Sequence, residues 1–159
     1  MKKKNRLQKF LAAIIISMSA GVLGSLFTQT GPDSWYVSLI KPEFNPPNWI
    51  FGPVWTSLYI LMGISLYLIW DKGLKKKELR FAFGIFILQL LFNAWWSILF
   101  FGLQNPKLAF CEIVFLWFLI VFVIYLFSNI RKLAAWLLIP YLLWVSFATV
   151  LNYSIWVLN

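Results

Sequence analysis

The sequence contains no histidine, one cysteine and only five acidic residues. The absence of histidine removes the commonest general base, the commonest proton shuttle and the usual protein ligand of zinc or haem. A lone cysteine, Cys111, excludes an internal disulfide. The acidic residues lie in predicted loops or near the ends of apolar blocks, so they supply no acid–base pair for hydrolysis. They are Asp33, Glu43, Asp71, Glu78 and Glu112. Neither conventional enzyme chemistry nor a metal site is expected.

Charged residues are also scarce, at 12% of the chain against about 25% in soluble proteins. Hydrophobic residues make up 62% of the chain and are gathered into five blocks, at 7–27, 50–70, 79–101, 108–127 and 133–157. Each block is near the length of about 20 residues that a helix needs to cross about 30 Å of hydrocarbon. The predicted fold class is an all-α membrane protein, with residues 1–159 forming one domain, a bundle of five transmembrane helices.

The distribution of basic residues predicts the orientation. If the N-terminus is inside, 12 of the 14 lysines and arginines are inside and only Lys41 and Lys107 are outside. This strong bias follows the positive-inside rule, and it places the C-terminus and the first loop outside. Because the charges adjoin the spans, their expected partners are anionic lipid headgroups and not nucleic acid. The pattern is compatible with an integral protein of a bacterial plasma membrane.

The segment between the first two blocks, residues 28–49, is here called the connector. It is rich in prolines, which restrict the backbone of each proline and of the residue before it, so the connector is expected to be stiff. It also carries large aromatic side chains, at Trp35, Tyr36 and Trp49, and Trp55 follows it. A structured, aromatic external loop that covers something apolar accounts for this composition.

Side chains from three predicted spans converge beneath the connector. At about 1.5 Å per residue, Trp55, Asn93 and Ala148 lie roughly 8, 12 and 14 Å below the ends of their spans. Helical spacing predicts one shared face on the third span for Gln89, Asn93, Trp96 and Phe100. It predicts another on the fifth span for Tyr141, Trp144, Ala148 and Leu151. An aromatic lining with a few polar groups is typical of a small-molecule pocket. Alternatively, the amides of Gln89 and Asn93 serve only to join helices.

Three other features predict simple packing. Glu112 is expected to extend toward Lys107 or the headgroups, as long polar side chains near span ends do. Pro140 is expected to kink the fifth helix. Small residues recur along the first span and are expected to let helices approach closely. They are Ala13, Ser17, Ala20, Gly21, Gly24 and Ser25.

A set of motifs runs through nearly the whole chain. It comprises Trp35-Tyr36, Lys41-Pro42, Asn45-Pro46-Pro47, Trp49, Phe51-Gly-Pro-Val-Trp55, Leu58-Tyr59-Ile-Leu-Met-Gly63, Gln89, Phe92-Asn93, Trp95-Trp96-Ser97, Phe100-Phe101-Gly102, Pro140-Tyr141-Leu-Leu-Trp144, Ala148-Thr149 and Leu151-Asn152. In these motifs the chain resembles the tryptophan-rich sensory protein/translocator protein family (TspO/MBR), also called peripheral-type benzodiazepine receptors. The resemblance implies a bacterial member with a five-helix fold that commonly forms homodimers.

The resemblance also implies ligands. They are tetrapyrroles such as protoporphyrin IX and haem, and synthetic benzodiazepine-type or isoquinoline compounds, with no obligatory cofactor. Trp55 and Trp144 match two tryptophans tied to porphyrin binding and light-dependent porphyrin breakdown in bacterial members. The other positions that match the family's pocket are Tyr36, Pro47, Asn93, Ala148 and Leu151. No Lys or Arg follows Tyr153, so the cholesterol motif of animal members is incomplete. If haem binds, Tyr, Met or Cys must replace histidine as the iron ligand.

Three function classes remain open from the sequence. The favoured one is a tetrapyrrole-binding sensor or scavenger. A photo-oxidative enzyme that degrades porphyrin would use the same pocket, with Trp55 and Trp144 as its reactive groups. The third is a transporter of porphyrins or other small apolar molecules. The odd number of spans, the lack of an evident repeat and the few deep ionisable residues count against it.

Overall fold

Helices follow one another along nearly the whole chain in the computed structural model, which describes the backbone of residues 2–159 and the side chains of residues 5–159. The helices are α1 (Lys2–Ser25), α2 (Trp35–Ser38), α3 (Asn48–Trp70), α4 (Lys77–Ser97), α5 (Pro106–Ile130), α6 (Lys132–Trp136) and α7 (Ile139–Leu158). A π-helical turn, Ile98–Gly102, continues α4. The side chains of residues 2–4, which enter the charge count, lie outside the described residues.

Five stretches are long and apolar enough to cross a membrane, which confirms the predicted five-helix architecture. They are α1, α3, α4 with its π-helical turn, α5, and α6 together with α7. Helix α1 packs on α3 and α4, and α5 packs on α4 and α7. Helices α3 and α7 meet only sparsely, and this separation leaves room for a cavity between them.

Close approach of α1 to α3 depends on small residues. An ideal Cβ at Gly63 would lie 2.8 Å from the Cα atom of Ile14, so the two backbones are in contact there. Ala13 and Ser17 of α1 are fully buried, as the spacing of small residues predicts. The packing prediction is wrong for Ser25, which is exposed.

The fifth span is two helices and not one kinked helix. Helix α6 ends at Trp136 and α7 begins at Ile139, with Pro140 in its first turn. A proline is well tolerated there because the first N–H groups of a helix have no partner within the helix. The prediction of one kinked helix is therefore wrong, because the chain ends one helix and begins a second beside Pro140.

The expected position of Glu112 is also wrong. Its side chain is only 8% exposed, and neither carboxylate oxygen has a hydrogen-bond partner among the described residues. Glu112 shares the inward face of α5 with Ala109 and Leu116, which are fully or almost fully buried. Because Glu112 lies on the buried face of α5, its side chain points into the bundle and away from the headgroups.

The connector packs against the ends of α4, α5 and α7. Tyr36 and Leu39 are buried in a hydrophobic cluster that includes Phe100 and Ile155. Asn159 holds the connector by two further bonds. Its Oδ1 accepts from the backbone N–H of Ile40 (2.9 Å), and its Nδ2 donates to the Ile40 carbonyl (3.0 Å). These contacts keep the connector over one end of the bundle.

Candidate ligand-binding cavity

A cavity of about 460 Å³ lies beneath the connector. Its wall includes residues of α1, the connector, α3, α4, α5 and α7. The volume is within the range of about 300–1,000 Å³ that is usual for small-molecule sites. The cavity occupies the space that the sparse contact between α3 and α7 leaves open.

Most of the residues predicted for the pocket lie on the cavity wall. They are Tyr36, Trp55, Asn93, Trp96, Trp144, Ala148 and Leu151. Gln89 and Tyr141 are buried behind the wall instead. Pro47 is also off the wall, although the next residue, Asn48, lines it. Each of the two helical faces predicted from residue spacing, one on the third span and one on the fifth, therefore lines the cavity with only some of its residues.

The buried amides form one network with two tyrosines. Tyr59 of α3 donates its hydroxyl hydrogen to Oδ1 of Asn93. Nδ2 of Asn93 donates to the hydroxyl of Tyr141 (3.1 Å), which donates to Oε1 of Gln89 (3.0 Å). The network joins α3, α4 and α7 and satisfies most of the polar groups that it buries, which would be costly to leave unpaired. Nε2 of Gln89 has no partner among the described residues. Asn93 therefore both joins helices and lines the cavity, while Gln89 supports it from behind.

The three tryptophans on the wall are held differently. Trp55 stacks on Tyr59 with ring centroids 5.5 Å apart. Nε1 of Trp96 donates to Oδ1 of Asn152 (2.9 Å), which fixes that indole. Nε1 of Trp144 is buried and has no hydrogen-bond partner among the described residues. The indole N–H of Trp144 is therefore an unsatisfied donor within the packed wall, whereas the ring itself lines the cavity.

Aromatic contacts close the side of the cavity between α3 and α7. The ring of Phe51 meets Trp144 at 5.9 Å, and Phe44 of the connector meets Phe147 at 6.3 Å. Trp144 and Phe147 are themselves 5.5 Å apart. Together the four rings cover the seam where the two helices diverge.

The cavity wall is uncharged. Within the described part of the chain, no Lys, Arg, Asp or Glu lines it. Burial raises the pKa of Tyr36, although its hydrogen bond with Asn45 opposes this shift. The phenol is therefore neutral at physiological pH. Lys41 lies outside the wall, with its Nζ 4.5 Å from the centre of the Tyr36 ring. Such a site suits an apolar, aromatic molecule that makes a few hydrogen bonds.

Sequence reasoning missed two contributors to the wall. Helix α1 supplies Met18, Gly21 and Val22, and α5 supplies Ile113 and Leu116. Small residues in α1 were a signal of close approach, but spacing alone does not tell a helix contact from a cavity wall. The side chains on the wall able to coordinate an iron are Tyr36, Tyr59 and Met18, whereas Cys111 is exposed and lies off the wall.

Comparison with known proteins places this architecture in a family. Residues 12–157 match the model of the TspO/MBR family. The chain is 45% identical over 145 residues to the tryptophan-rich protein TspO of Chlorobaculum tepidum, covering 91% of each chain. It is 42% identical over 152 residues to the protein of the same name from Archaeoglobus fulgidus, covering 95% of this chain and 97% of the relative. It is 35% identical over 136 residues to the translocator protein of Homo sapiens, covering 84% and 80%.

Proposed function

The chain belongs to the TspO/MBR family, and we propose that it binds a tetrapyrrole such as protoporphyrin IX or haem in the cavity, as a membrane sensor or scavenger. The observation that carries the proposal is an uncharged cavity of about 460 Å³ whose wall includes Trp55, Trp96 and Trp144. Indole rings stack on flat aromatic systems, where each contact contributes about 0.5–1.5 kcal/mol beyond area burial.

Packing in the half of the bundle away from the connector favours binding over transport. Side chains fill that half. Phe86 and Phe127 are fully buried there and stack with centroids 5.6 Å apart. Met62 and Leu66 of α3 are also fully buried. A molecule held in the cavity therefore has packed side chains between it and the other side of the membrane.

We further propose that the bound porphyrin is degraded in a reaction that needs light and consumes dioxygen as oxidant. Indole is among the few side chains able to exchange an electron with an excited porphyrin, and Trp55 and Trp144 both face the cavity. Phenylalanine retains much of the stacking area of tryptophan and is far harder to oxidise. Replacement by phenylalanine therefore separates binding from chemistry.

A two-stage experiment tests these proposals. Purified wild type is first titrated with protoporphyrin IX in the dark, where saturable binding beyond partition into empty detergent micelles is expected. Wild type, Trp55→Phe, Trp144→Phe and the double variant are then illuminated in air at matched porphyrin occupancy. The Soret band is expected to bleach in wild type and to persist in the double variant.

Each stage has its own contrary result. Dark binding no greater than partition into micelles overturns the binding site. If porphyrin bleaches no faster in wild type than in empty micelles, the proposed degradation is wrong and only the proposed binding stands. Equal bleaching in wild type and the double variant shows that the indoles are not the reactive groups. Anaerobic samples serve as the control for dioxygen.

We also propose that the connector faces the outside of a bacterial plasma membrane, because of the bias in basic residues. In a Cys111→Ser background, Glu43→Cys of the connector is expected to react with a membrane-impermeant thiol reagent in intact cells. Lys76→Cys, which is equally an exposed charged position, is expected to react only after the cells are opened. The opposite labelling pattern reverses the orientation.

A further inference from the structure

The cavity is bordered on one side by residues that are also open to the surroundings. Val22 of α1 is 58% exposed and yet lines the cavity. The same is true of Ser25 at the end of α1, of Thr28 at the start of the connector, and of Gly52 and Thr56 in the first three turns of α3. These five residues define the lateral gap. Residues that line a cavity and remain exposed outside it mark an opening between the two helices.

The lateral gap is limited to the connector end of these helices. Further along, α1 and α3 touch. An ideal Cβ at Gly21 would lie only 2.8 Å from Cδ2 of Tyr59, so α1 rests on that ring. At Gly63 the two backbones themselves are in contact, through Ile14. The seam is therefore closed below Gly21 and open above it.

Contacts hold the connector and cover the seam between α3 and α7. The connector is anchored by buried Tyr36 and Leu39 and by the two bonds between Asn159 and Ile40. The seam between α3 and α7 is covered by aromatic contacts that include Phe51 and Trp144. Thr30 and Asn48 of the connector also line the cavity and are exposed, so the lateral gap reaches the connector. Among the described residues, no aromatic contact of this kind covers the lateral gap.

The rim of the lateral gap is compatible with hydrocarbon. The hydroxyls of Ser25 and Thr28 donate to carbonyls of α1, at 2.7 and 3.0 Å, and the hydroxyl of Thr56 donates to a carbonyl of α3, at 2.9 Å. Bonded in this way, these three hydroxyls are satisfied without water. Val22 lies about 5 Å below the end of α1 by helix rise, which is one turn into the span. The opening therefore faces the bilayer as well as its interface.

From these features we propose that the ligand reaches the cavity sideways, from the bilayer leaflet beside the connector, through the lateral gap. The proposal rests on the proposed function and extends it to the class of ligand. That ligand is a flat, largely apolar molecule that dissolves in the bilayer and is concentrated there before it binds. Its polar substituents remain at the interface, because the wall has no charge to pair with them.

A reversible block of the lateral gap tests the route. Gly52→Cys in a Cys111→Ser background is reacted with benzyl methanethiosulfonate, which adds a bulky, apolar group that dithiothreitol removes. An ideal Cβ at Gly52 meets nothing within 4 Å, so the cysteine itself is accommodated. Stopped-flow fluorescence then follows the binding and release of protoporphyrin IX in phosphatidylcholine nanodiscs.

The benzylated protein is expected to bind and release protoporphyrin IX about tenfold more slowly, because a blocked passage slows both directions. Since Gly52 also borders the cavity, the association rate and not the Kd decides the outcome. Dithiothreitol restores both rates. The matched control is Gly84→Cys on α4, which is also exposed and also has nothing within 4 Å of its ideal Cβ. Benzylation of the control is expected to leave both rates unchanged.

Two results overturn the lateral route alone: unchanged rates in a protein that binds, or a weakened Kd with an unchanged association rate. The second result makes Gly52 part of the binding wall and not of a passage. Absence of saturable binding in the unreacted protein overturns the proposed function, and the lateral route with it. The unreacted protein is therefore measured first.

Discussion

Ala148→Phe is expected to weaken the binding of protoporphyrin IX by about tenfold to a hundredfold, since overpacking costs about 1–3 kcal/mol. Ala148 lies on the cavity wall, one helical turn from both Trp144 and Leu151. A phenyl ring at this position occupies volume that a bound tetrapyrrole needs. The unliganded protein is expected to melt at nearly the wild-type temperature, because the ring enters empty space.

The matched control for this substitution is Val150→Phe. Val150 is on the same helix but is 57% exposed and lies off the cavity wall. Its replacement adds an aromatic ring without filling the site, so the affinity is expected to stay at the wild-type value. Equal affinities of the two variants would locate the binding site outside this cavity. The measurement is a dark titration with protoporphyrin IX, together with a thermal melt of the unliganded protein.

Asn93→Leu is expected to lower both stability and affinity. Leucine cannot accept from the Tyr59 hydroxyl or donate to Tyr141, so both tyrosines lose a buried partner. Hydrogen bonds between membrane helices average about 0.6 kcal/mol, but a buried group left without a partner costs about 1–3 kcal/mol. Because two bonds are lost in a closed interior, we expect destabilisation of about 1–3 kcal/mol.

A thermal melt compares Asn93→Leu with Asn129→Leu, an exposed asparagine of α5 that bonds only within its own helix. The control is expected to melt at the wild-type temperature. A double-mutant cycle with Tyr59→Phe adds a second measurement. Because the two side chains share one bond, the combined loss of stability is expected to be smaller than the sum of the single losses. An additive result would mean that the network contributes nothing as a unit.

The spacing of residues along the fifth span predicted part of the cavity wall, because the geometry of a helix depends only on residues close in sequence. Trp144, Ala148 and Leu151 recur at three- and four-residue intervals, and all three reach the cavity wall. Tyr141 lies on the same predicted face but is buried behind the wall, bonded to Gln89 and Asn93. A helical face is wide enough to touch both a cavity and a neighbouring helix. Spacing therefore identifies the face and does not tell these two surroundings apart.

The sequence by itself determined the membrane class, the five spans, the family and several residues of the cavity wall. These depend on the length and apolarity of each segment and on side chains within one helix, which are local properties. Only the tertiary structure decided that Glu112 is buried, that α1 helps to form the cavity and that Asn93 joins three helices. Each of these depends on contacts between helices distant in sequence. Such contacts are set by how the whole bundle packs, and hydropathy does not encode that packing.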